Sequence, residues 1–256
     1  MTLIPIAQLV RRAHRLDVAA ERPDFLAMID QQAGMVVDLA MALGEVLQGR
    51  ESAHSLRLLD LEQRRDELRR RNRAAVNSML SRSSGVDEIP WTMEALDLSA
   101  ASLLRTVHRF HPLWSVPDEA TRQMVAVIRQ ATASLQQGYS RLANGSPAAE
   151  LDADAAIGSK MLLIRYRDPA FKAMRDAGAG RYSTPQDQLV QLPPQASDDP
   201  AGWLCDLYDN LNGITQELAG AGVILKRWSR RLTAGRHGDS GGASGAWSPA
   251  SPARLS

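Results

Sequence analysis

Apolar residues recur at helical spacing along most of the chain. After RPD, the stretch FLAMIDQQAGMVVDLAMALGEVL places Phe25, Leu26, Ile29, Ala33, Val36, Val37, Ala40, Leu43 and Leu47 on one broad stripe. Asp24 stands where an N-cap belongs. A second helix is expected from about Glu51 to Leu80, ending in SRSSG. A third follows VDEIP, with Ile89, Met93, Leu96, Ala100, Leu103, Leu104, Val107 and Phe110 on one side and Pro112 closing it. A fourth starts near VPDEA, carries Val125, Ile128, Leu135 and Leu142, and stops at NGSP.

The fifth helix is expected from Ala148 to Tyr166, with Asp168-Pro169 opening a short separate helix that ends at DAGAG. Residues 178–200, rich in Pro, Gln, Gly, Ser and Asp, read as a mobile insertion. The last helix has the clearest pattern. Leu204, Leu207, Leu211, Ile214, Leu218, Ala221, Leu225, Trp228 and Leu232 alternate spacings of three and four. From Gly235 the chain turns to Gly, Ser and Pro, which predicts a disordered tail over 235–256.

The expected architecture is therefore all-α. A short N-terminal helical extension (1–23) precedes one domain over 24–234, built from two sets of three helices at about 24–111 and 117–233. Composition agrees: 44% of residues are apolar and only 5% aromatic, with Leu and Ala dominant. The formal net charge of +1 gives no global field toward nucleic acid or anionic lipid. Cys205 is the single cysteine, so one chain can form neither an internal disulfide nor a multi-cysteine metal site. MTLIPIAQLVRRAHRL is broken by arginines and lacks a long apolar run, so it does not read as a signal peptide. No uncharged apolar run approaches ~18 residues. A cytoplasmic location is expected.

Charge changes the picture at one place. The second helix contains LEQRRDELRRRNR, with Glu62 and Asp66 four residues apart among six arginines. Projected at about 100° per residue from Leu59, Glu62 and Asp66 fall near −60° and −20°, in the same sector as Val76 and Leu80. The projection puts both acids toward the bundle and Glu67 toward solvent. Two carboxylates facing inward need a compensating cation. That cation is either a guanidinium, giving an ion-pair network within and between helices, or a metal ion. A nucleic-acid surface is disfavoured, because acids interleave the arginines and aromatic residues do not. His108 and His111 lie three apart on the third helix without a companion Glu-x-x-His. No phosphate-cradling Gly loop, nucleophile-elbow Ser or HExxH is present, and no enzymatic activity is expected.

Several segments resemble the stand-alone PhoU-like phosphate transport regulators. DFLAMIDQQAGMVVDLAMAL resembles that family's opening helix, and LEQRRDEL its Glu-x-x-x-Asp signature on the second helix. EALDLSAASLL resembles the third-helix segment, and DLYDNLNGITQELAGAG the final helix, with Tyr208 and Thr215 in matching places. The resemblance covers about 24–233. It implies a PhoU-like bundle of two pseudo-repeated three-helix units. It also implies a metal site, for a divalent or iron-type ion, held by Glu62, Asp66 and Asp97.

The same resemblance implies a non-enzymatic regulatory or accessory role in inorganic phosphate transport, exerted by protein–protein contact. The implied partner is a phosphate permease at the cytoplasmic face of the membrane, with no nucleic acid and with room for a homo-oligomer. The sequence departs from the pattern in the second repeat. Ile157 and Met161 stand where its signature falls, and neither ligates a hard cation. Glu150 and Asp154 offer the spacing in a shifted register. Arg65 and Arg69 flank the first signature. The alternative expectation is a helical interaction scaffold without metal or phosphate.

Overall fold

The structure, a computed structural model, describes residues 23–80, 88–110, 118–181 and 200–238. Among these residues six helices and no strand occur: α1 (Phe25–Leu47), α2 (Leu56–Leu80), α3 (Glu88–Arg109), α4 (Glu119–Ala143), α5 (Ala149–Arg181) and α6 (Pro200–Gly238). The chain is an all-α bundle. The expected N-terminal helix, most of the 178–200 insertion and the tail beyond 238 lie outside the described residues.

The ends of α1 and α4 are built alike. Asp24 accepts the Ala27 amide and Asp118 the Thr121 amide, each as an N-cap that satisfies an orphan donor of the first turn. At the far ends, Gly49 (φ 69°) and Gly145 (φ 65°) take the left-handed conformation that glycine adopts without a Cβ clash. The amide after each glycine reaches five residues back, Arg50 to Glu45 and Ser146 to Arg141, both at 2.9 Å. The two helices thus stop by the same motif.

The packing repeats too. α1 contacts α2, α3 and α4; α4 contacts α5, α6 and α1; α2 meets α3, α5 meets α6, and α3 meets α6. Exchanging α1 with α4, α2 with α5 and α3 with α6 reproduces the same set of neighbours. The two halves differ in weight. α5 lies along α4 and α6 over a long contact, whereas α2 touches α1 and α3 along a thin strip.

The core stripes of α1, α3 and α4 are those the periodicity predicts. Of the α1 stripe Ile29, Ala33, Val36, Ala40, Leu43 and Leu47 are buried and Phe25, Leu26 and Val37 half-buried; seven named positions on α3 with Phe110 just after it, and all four on α4, are buried. Each such Leu or Ile contributes about 1.5–3 kcal/mol by leaving water. On α6 the seam is buried from Leu207 to Leu225 but Leu232 is exposed. α1 is long and apolar enough to cross a membrane by length and composition, contrary to the expectation from charge-free runs. More than half of that stretch is buried inside the bundle.

Two boundaries differ from expectation. α5 does not break at Pro169 but runs through it to Arg181. Proline removes one backbone donor, but Ala170, Phe171 and Met174 beyond it pack on the core, with Phe171 edge-on to Tyr208 at 5.5 Å. α6 likewise continues past Gly235 to Gly238.

Candidate functional site

The inner face of α2 is not the one the projection chose. Leu58 and Leu61 are buried, Arg65 and Leu68 are half-buried, and Asn72 is buried, one below another at helical spacing. Leu56 and Leu59 are exposed instead. Polar residues therefore occupy core-facing positions, and apolar residues occupy solvent-facing ones. A projection anchored on Leu59 turns the helix away from its true seam.

This rotation separates the three predicted metal residues. Asp66 points outward, with its side chain 71% exposed and Arg65 as its ion-pair partner among the described residues, at 3.5 Å. Glu62 is half-buried and pairs with His108 of α3, whose ring stacks on His54 at 6.2 Å between centroids. Asp97 of α3 is the inward carboxylate. Arg65 donates to its Oδ1 at 2.9 Å and Arg69 approaches Oδ2 at 3.1 Å, so each oxygen carries one guanidinium. The Arg65 and Asp97 side chains are only 15% and 18% exposed. Charge-assisted pairing is strong there, since partial burial limits screening.

An oxygen-rich cation site needs several carboxylate oxygens around one point. Here Asp97 is engaged by two arginines, Glu62 is turned to a histidine and Asp66 faces water. Among the described residues no group of three His, Cys, Asp or Glu side chains converges on one position. The residues present do not fit a metal ion, and the inward placement of Asp66 is corrected to outward. The compensating cation is guanidinium, the ion-pair alternative that the sequence left open.

Below the ion pair lies an amide network. Asn72 donates to Gln32 Oε1 at 2.9 Å, and Gln32 donates to the Met93 carbonyl at 2.8 Å, tying α2 to α1 and α1 to α3. Arg71 adds a bond to Gln31 at 2.7 Å. Nothing in the apolar periodicity marks Gln32 or Asn72. Their only sequence signal is a pair of amides at core-facing positions.

Sequence reading also missed Glu217. It lies on α6 amid the Ile214–Leu218 seam and accepts from Ser102 of α3 at 2.8 Å. Its second oxygen is buried without a partner among the described residues. Burial pushes its carboxyl above the ordinary range, against the lowering effect of the Ser102 bond and Arg105. Tyr208 donates to Asp118, the α4 N-cap, and burial with that carboxylate raises its phenol. Thr215 bonds back to the Leu211 carbonyl within its own helix. Both residues therefore have structural partners. Trp91, near the start of α3, is 42% exposed beneath Arg227, at 4.7 Å.

A shallow groove of about 450 Å³ runs between α5 and α6 over Ile157 and Val223, edged by Lys226, Arg227, Arg230 and Arg231. Lys226 is paired with Asp154, Arg230 with Glu150 and Arg231 with Glu88, so the groove carries little net field. No nucleophile, base and oxyanion donor are brought together at any of these places. No protein-family model matches the chain, and no curated protein matches its sequence significantly.

Proposed function

We propose that this chain is a non-enzymatic accessory protein that works by protein–protein contact, with the PhoU-like organisation and with inorganic phosphate transport as the process it serves. The observation that supports the reading is the three-plus-three packing scheme with matched ends on α1 and α4. It is the arrangement expected of two pseudo-repeated units whose surfaces, rather than a cleft, do the work. The partner in this reading is a phosphate permease met at its cytoplasmic face. The arginine-filled Asp97 site favours a form of that role without a metal.

Deleting the gene and measuring uptake of labelled phosphate tests this directly. The expected result is altered uptake, restored by the intact chain. Unchanged uptake removes the phosphate assignment. The reading that then stands is a helical interaction scaffold, favoured by the same exchange of a cation site for ion pairs.

A further inference from the structure

The outer face of α5 carries apolar side chains that no other part of the described residues covers. Leu151, Met161 and Leu162 are 70%, 65% and 45% exposed. They share a face with Ala155 and Gly158, spaced four, three, three and one along the helix. This is the side opposite Ala149, Ala153, Ala156 and Leu163, which are fully buried against the bundle. A helix normally presents one apolar stripe to its own core; α5 presents two.

Gly158 sharpens the point. A glycine in mid-helix costs about 0.5–1 kcal/mol relative to alanine. Gly138 and Gly222 have an internal reason for that cost, because a Cβ there would come within 3.1 Å of neighbouring atoms. A Cβ at Gly158 would meet nothing within 4 Å. The α6 glycines Gly213 and Gly220 are equally open, but between them lies the exposed, polar Gln216 rather than an apolar stripe.

Charge decides what fits. From Ala149 to Gly158 the helix holds Glu150, Asp152 and Asp154 and no base. From Ser159 to Asp176 it holds Lys160, Arg165, Arg167, Lys172 and Arg175 against Asp168 and Asp176. Glu150 and Asp152 are answered within the chain by Arg230 and Arg141, so the outward charges that choose an orientation are the half-exposed Asp154 and the basic half, and these favour an antiparallel copy over a parallel one. Asp154 and Arg165 flank the apolar stripe, about 16 Å apart along the axis at ~1.5 Å per residue. Lys226 takes one oxygen of Asp154, whose side chain remains 48% exposed.

We infer that this face is the self-association surface of the chain. Two copies pair antiparallel, α5 against α5, about a two-fold axis level with residues 159–160. One register then joins Asp154 of each copy to Arg165 of the other and seats Met161 of each against Gly158 of the other. The interface is isologous, so every favourable contact occurs twice. It does not depend on the phosphate reading.

Sedimentation velocity of the full chain over a concentration series tests it, with far-UV circular dichroism as the check on folding. The intact chain is expected to dimerise, and Leu162→Glu to be a folded monomer. Asp154→Arg alone and Arg165→Asp alone are each expected to weaken the dimer about tenfold or more, since each sets like charges together twice. The double reversal, Asp154→Arg with Arg165→Asp, is expected to restore it. A monomeric intact chain overturns the inference and assigns the stripe to residues 1–22 or to a different protein. A dimer that survives Leu162→Glu overturns it as well. A dimer that ignores both single reversals, or that the double reversal fails to rescue, overturns the antiparallel pairing.

Discussion

α2 and α5 occupy equivalent places in the packing scheme and are attached differently. α5 approaches its neighbours through small residues and adds ion pairs to them, Asp152 with Arg141, Asp154 with Lys226 and Glu150 with Arg230. A Cβ at Gly222 would lie 3.1 Å from the Ala153 carbonyl and 3.2 Å from the Ala156 Cβ, and one at Gly138 would lie 3.1 Å from the Asp152 Cβ. α2 is attached by polar anchors, the Arg65–Asp97 pair and the Asn72–Gln32 bond, with Leu58 and Leu61 at one end. Close packing of small residues gains dispersion and excludes water along a whole helix face. Polar anchors fix position and rotation but contribute less net stability, since each replaces a bond to water. The first three-helix unit is thus lightly packed along α2 and held there by polar anchors, whereas in the second close packing and ion pairs act together along α5.

The largest test of this contrast lies in α5. Gly222→Leu forces a branched side chain against a backbone carbonyl and is expected to cost about 3 kcal/mol, read as a lower denaturant midpoint. A near-neutral result would mean that α5 is no more closely packed than α2. Next comes the ion pair. Asp97→Ala leaves the half-buried Arg65 with only the more distant, exposed Asp66 at 3.5 Å and is expected to cost about 2 kcal/mol, whereas Asp66→Ala stays within about 0.5 kcal/mol. Equal losses would break the assignment of inner and outer acids. Asn72→Ala is expected to cost about 1 kcal/mol and to lower hydrogen-exchange protection across α2, leaving α5 amides unchanged. A uniform drop along both helices would show that α2 does not open separately.

The smallest effect concerns Glu217, which links the two units. Its folded-state carboxyl titrates higher than it would in the unfolded chain. The native state therefore binds the proton more tightly. Stability from this group is fully present below the unfolded pKa and is lost as pH rises through the folded pKa. Glu217→Gln should stabilise slightly at neutral pH, with the advantage vanishing in acid. Chemical denaturation of both forms at the two pH values measures it; a variant less stable at neutral pH would show that the ionised form is favoured by its surroundings.

The sequence was most legible where apolar residues fell on one face without competition. All eight positions of the third predicted stripe, seven on α3 and Phe110 just after it, are buried. α2 was misread because Leu56 and Leu59 face solvent while Arg65 and Asn72 face in. Periodicity weighs hydrophobicity alone, so a seam built from a guanidinium and an amide is invisible to it. The projection chose between two faces of nearly equal apolar content and chose the wrong one. The resemblance then attached a metal role to Glu62, Asp66 and Asp97, but residue type and spacing on one helix carry no information on what the next helix brings. α3 brings Asp97 to Arg65 and Arg69, and His108 to Glu62.

Pro169 teaches the same lesson at a boundary. Local propensity predicted a break, and packing of Phe171 and Met174 against the core overrode it. Sequence by itself determined the helical class, the N-cap at Asp24 and the core faces of α1, α3 and α4, because these depend on spacing within one segment. Tertiary structure alone decided which face of α2 turns inward and which cation meets Asp97. Those outcomes depend on side chains far apart in the chain, and their electrostatic and packing energies exist only once the helices are side by side.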